Sequence, residues 1–99
     1  MTEPSGHRWS VYVLDVIGLG PKQVYVGQTW HSPEHRRQQH IDGIRAGRVF
    51  RSADVAVGEL RRDLLPRLPH LDGREAAETA EAKVAAHLRK RGMTVHGGH

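Results

Sequence analysis

The sequence predicts an α+β fold: an N-terminal β-hairpin in a short sheet of about three strands, flanked by helices. Two β-branched and aromatic runs lie on either side of Gly18-Leu19-Gly20-Pro21, a strong helix start follows the second run directly, and an amphipathic helix ends the chain. At 99 residues there is room for one domain with one modest core. The expected organisation is a flexible, polar lead-in over 1–8 and a single domain over 9–99.

Residues 9–17 are apolar, aromatic or β-branched with few breaks, which suits a strand buried on both faces. The Gly-Pro turn returns the chain to a second strand over 23–29. Alternation places Ser10, Tyr12 and Leu14 on one face and Tyr25, Gly27 and Thr29 on one face, so two phenols can share a sheet surface. Ser32-Pro33-Glu34 supplies a capping hydroxyl, proline at the first helical position and an acid near the positive end of the dipole. The helix it starts is expected to run to about Ala46 and stop at Gly47, with Ile41 and Ile44 on one face and Arg36 and His40 on the stripe beside it. His35 and His40 point about 140° apart and make a poor metal pair.

Between 49 and 71 the pattern weakens. Val55 and Val57 fit a third strand, Leu60 and Leu64 a short helical turn, and Pro66 and Pro69 interrupt regular structure. Asp72 and Glu75 then resemble a capping box opening the last helix, and His87, Arg89, Lys90, Arg91 and Gly92 mark its end. Its apolar stripe is Ala77, Ala80, Val84 and Leu88. At about 100° per residue Glu81 falls inside that stripe, while Glu75 and Glu78 point away. A core-facing carboxylate needs a cation or strong donors, because burying it alone costs several kcal/mol. An internal ion pair with an arginine is the structural alternative to a functional role.

The chain carries +4 net charge, and its basic side chains are mostly arginine, whose planar fork matches phosphate oxygens. Without cysteine, neither disulfides nor thiolate zinc sites hold the fold, and the polar N-terminus has no apolar signal core. A cytoplasmic protein with a nucleic-acid partner and no membrane association is the expectation. Lys22, Arg37, Arg61 and Arg62 are its candidate nucleic-acid contacts, with ordinary solvated surface as the alternative for Arg61, Arg62 and Arg67.

Taken together, Ser10-Val11-Tyr12, Tyr25-Val26-Gly27, Arg36 with His40 four residues on, and Glu81 followed by Val84 and Leu88 resemble the motif series of the GIY-YIG nuclease family. The resemblance covers 10–40 and 77–92. Arg37 rivals Arg36, which alone keeps the four-residue step. Ser10 stands where the motif has glycine. The asparagine many members carry has no counterpart, since the chain contains none; His96 stands in for it, or the stretch 95–99 is a flexible end.

The resemblance implies a metal-dependent endonuclease that hydrolyses phosphodiester bonds, in DNA more than RNA, as a possible nicking enzyme. It implies Tyr12, Tyr25, Arg36, His40 and Glu81 as catalytic residues. Glu81 would bind one Mg²⁺ or Mn²⁺ ion, which suits a single carboxylate with water completing the shell. Tyr12 would take the water's proton, made more acidic by Arg36, Lys22 or the metal. Arg36 would clamp a phosphate oxygen, Tyr25 would orient water or phosphate, and His40 would relay a proton or hold the network. Trp9 and Trp30 would close the core, and Trp30 could contact a base. A dimer or partner protein would supply specificity. Two other classes remain: a nucleic-acid-binding module of this fold without turnover, and a metal-binding protein using the eight histidines.

Overall fold

A computed structural model describes residues 8–98. The chain forms a four-stranded mixed sheet with two α-helices. In order these are β1 (Ser10–Ile17), β2 (Gln23–Thr29), α1 (Pro33–Ile41), β3 (Ala56–Leu60), α2 (Arg74–Lys90) and β4 (Thr94–Gly97), and the strands lie side by side as β3-β1-β2-β4. The hairpin and third strand are antiparallel, whereas β4 runs parallel to β2. The sheet therefore has one strand more than the sequence predicts. The stretch 94–97, which can be read as a flexible tail, is instead an edge strand whose backbone is satisfied by β2. Residues 1–7 of the expected lead-in over 1–8 lie outside the described residues. Among the described residues no helix is long and apolar enough to cross a membrane.

In the hairpin register Tyr12 lies opposite Gly27 and Leu14 opposite Tyr25, so alternate residues go to opposite faces. Val11, Val13, Val24 and Val26 form one face and pack, with Trp9, against Ala77, Ala80, Val84 and Leu88 of α2. Tyr12 and Tyr25 occupy the other face and meet His40 of α1. The two helices thus cover opposite sides of the sheet.

Three expected boundaries are corrected. Helix α1 ends at Ile41 rather than near Ala46, because the chain turns through left-handed backbone at Gly43 (φ 76°) and Arg45 (φ 49°). Ile41 and Ile44 are consequently 45% and 52% exposed. Helix α2 is capped by Gly73 with no side-chain bond, since the Asp72 carboxylate meets His70 Nε2 at 2.8 Å instead. In the weakly patterned middle, Val57 and Leu60 belong to β3, and the short helical turn is a 3₁₀ segment over Arg62–Leu64.

Candidate active site

Four of the five residues singled out by sequence meet around one oxygen. His40 Nε2 lies 2.7 Å from the Tyr12 hydroxyl, and both groups are buried, each only 2% exposed. The Arg36 charge and the Tyr25 phenol also act on that hydroxyl, and the Tyr25 ring centroid lies 6.3 Å from that of Tyr12. The closeness of the strands has a local cause. A Cβ on Gly27 would sit 2.4 Å from the Tyr12 hydroxyl, so only glycine leaves room for the ring to lie across β2. Likewise, a Cβ on Gly47 would meet the Tyr25 ring at 2.5 Å.

The turn that ends α1 early holds the cationic side of the site. Arg36 donates to the carbonyls of Ile44 at 3.1 Å and Arg45 at 2.7 Å, and to Gln39 Oε1 at 3.2 Å. The backbone N–H of Gly47 donates to His40 Nδ1 at 3.0 Å. A nitrogen that accepts carries no proton, so in the neutral ring the proton is on Nε2, and His40 donates to Tyr12. Burial, aided by the Arg36 charge, lowers the His40 pKa to about 4, which keeps the ring neutral at physiological pH. Arg36 can only donate. The Tyr12 oxygen therefore accepts from His40 on one lone pair and keeps its own proton to donate.

The charges of the protein's own side chains do not acidify Tyr12. Burial pushes this phenol well above its usual range; Tyr25 and Glu81 push the same way, and Arg36 opposes them without prevailing. Tyr25 is raised too, again mainly by burial. Lys22, at the hairpin turn in left-handed backbone (φ 58°), is not among the charges that act on Tyr12.

Glu81 joins the site from α2. It lies beside the apolar stripe, 4% exposed, and its charge acts on both Tyr12 and Tyr25. Strand β4 packs beside α2. Its pairing with β2 stops at Val26 opposite Gly97, and Gly98 then packs so closely on Ala85 that an added Cβ would lie 2.5 Å from the alanine Cβ.

The other basic candidates are placed elsewhere. Arg37 donates to the Gly58 carbonyl of β3 at 2.8 Å, which separates it from Arg36 despite their adjacency. Arg61 is paired with Asp15 at 2.9 Å and Asp63 at 2.8 Å, and Arg62 with Glu34. His96 bonds to Gln23 Oε1 at 2.8 Å and lines, with Tyr25, Arg48, Val49 and Gly97, a cleft of about 430 Å³. His35 stacks outward near His31. His99 lies outside the described residues. Sequence reasoning missed the turn over 42–47 and Phe50, whose ring is 5.2 Å from both His40 and Tyr25. The signal for the turn was Gly43, in helix C-cap position.

The oxygen donors that act on one another here are the Glu81 carboxylate, through its charge, and the two phenols. Hard oxygen donors of this kind fit Mg²⁺ or Mn²⁺ and not a zinc site. Among the described residues no three His, Cys, Asp or Glu side chains come together as a metal-binding group. Compared with known proteins, the chain matches no family model, no curated protein and no solved structure.

Proposed function

We propose that the protein is a divalent-metal-dependent endonuclease of the GIY-YIG kind, hydrolysing phosphodiester bonds in nucleic acid, DNA rather than RNA, one strand at a time. One observation carries this reading: a buried Tyr12 oxygen receives an N–H from a tautomer-locked His40, while the Arg36 and Glu81 charges both act on the same phenol. Burying so many polar groups against one another costs stability that an apolar core would not, which favours a chemical role.

In this reading Glu81, with the phenol oxygens nearby, would hold the cation, which supplies positive charge at the phosphate and favours ionisation of neighbouring groups. The residues of the chain do the rest. Tyr12, once its proton has passed to bulk water, would be a phenolate stabilised by the His40 N–H and the Arg36 charge, and in that form it would accept the proton of the attacking water. Tyr25 orients the water through its hydroxyl. Arg36, fixed by two carbonyls, offers charge to a nonbridging phosphate oxygen. His40 is a positioning residue that holds the phenolate and keeps its own proton.

A second reading, a nucleic-acid-binding module without turnover, is favoured by the raised pKa of Tyr12, which leaves the phenol protonated at rest. Supercoiled plasmid with Mg²⁺ or Mn²⁺ separates the two. The nuclease reading expects relaxed circles before linear product, and a loss of about 100-fold or more in Glu81→Gln at unchanged melting temperature. A Glu81→Gln protein that nicks as fast as the parent overturns the metal assignment, and metal-independent binding without nicking selects the second reading.

A further inference from the structure

A separate cleft opens on the other side of Arg36. Its volume is about 430 Å³, and Trp9, Trp30, Arg36, Arg45 and Arg74 wall it, with Gln28 of β2 among them. Clefts that hold small molecules run from roughly 300 to 1,000 Å³. Within its wall the Trp30 ring stacks on His31 at 3.9 Å between centroids. Arg45 and Arg74 are exposed. Arg74 reaches Glu78 only at 3.7 Å.

Gln28 is the unusual member. It follows Val24 and Val26 on the apolar face of β2, yet ends that row with an amide whose Oε1 is buried and has no hydrogen-bond partner. An unmade bond of this kind costs about 1–3 kcal/mol, and leucine in its place would avoid it. Gln28 itself lines the cleft, and rotation about its last side-chain torsion is soft.

We infer that this cleft is a subsite for one unpaired nucleotide beside the phosphate at Arg36. The base stacks on the Trp30 indole, an N–H of its pairing edge donates to Gln28 Oε1, and Arg45 and Arg74 hold the flanking phosphate. The inference rests on the nuclease reading for the phosphate at Arg36. A base in a duplex has its faces stacked and its pairing-edge donors engaged, so it does not enter. Every natural base has an N–H on that edge. The subsite therefore selects for an unpaired state and not for a sequence.

Both tryptophans of the chain line the cleft, so intrinsic fluorescence reports its occupancy. The titration is made in chelator, where no cleavage occurs, with a short single-stranded DNA, the same strand built of abasic residues, and the matching duplex. The expected result is quenching by the base-bearing single strand and affinity about tenfold weaker for the other two, the size of one lost base stack. Gln28→Leu should remain at least as stable as the parent, lose about tenfold for the base-bearing strand, and bind the abasic strand unchanged. Equal affinity and quenching for all three probes would overturn the subsite whatever the variant does, as would an unaltered Gln28→Leu. The two readings fail separately. Base-dependent quenching without plasmid nicking removes the nuclease reading, and nicking without base-dependent binding removes the subsite.

Discussion

Strands β1 and β2 present two faces built from alternate residues of the same sequence, and the faces differ in kind. Val11, Val13, Val24 and Val26 meet the alanines, Val84 and Leu88 of α2, and no one contact there is irreplaceable. Tyr12, Tyr25 and Gly27 meet His40 and Arg36, and each polar atom has a specific partner. Apolar burial is roughly additive in area and non-directional, whereas a hydrogen-bonded network depends on each member. The difference teaches that a mutation on one face should subtract stability, and one on the other should change chemistry.

The largest effect on stability is expected on the apolar face. Leu88 is fully buried, so Leu88→Ala should lower stability by about 2–5 kcal/mol in denaturant unfolding while leaving nicking per folded molecule unchanged. A change in specific activity would break the separation of the faces. Gly27→Ala comes next. Its methyl group would force the Tyr12 ring aside, which should cost about 1–3 kcal/mol and remove nicking as well. Tyr12→Phe sharpens the contrast most: stability should fall by only about 1 kcal/mol, yet nicking by about 100-fold or more. In the parent the rate should climb with pH across the neutral range, about tenfold per unit, because the phenol ionises well above it. The phenylalanine variant should lose that slope.

The sequence made the polar face more legible than its supports. Period-two alternation put the phenols together, and the four-residue step chose Arg36 over Arg37, which the fold sends to Gly58. Helical phase placed Glu81 within the buried stripe. What was hidden depends on backbone atoms. The carbonyls of Ile44 and Arg45 and the N–H of Gly47 hold Arg36 and His40, and no side-chain pattern announces them. Strand β4 was hidden for a similar reason: Thr94-Val95-His96-Gly97 is short, and its pairing to β2 is set by where α2 delivers the chain. The resistance of Tyr12 to ionisation was hidden too, because burial, which no local motif records, outweighs the neighbouring arginine.

The account turns on the proton at His40. If the ring is buried neutral, the native state binds fewer protons than the unfolded chain, whose histidine titrates near 6.5. Its contribution to stability is then complete above about 6.5 and is lost as pH falls toward about 4. Nitrogen-15 NMR of the imidazole tests this directly. The predicted spectrum at pH 7 shows a protonated Nε2 and a bare Nδ1, with protonation of the ring only near pH 4. A proton on Nδ1, or a midpoint near 6.5, would contradict the network around Tyr12.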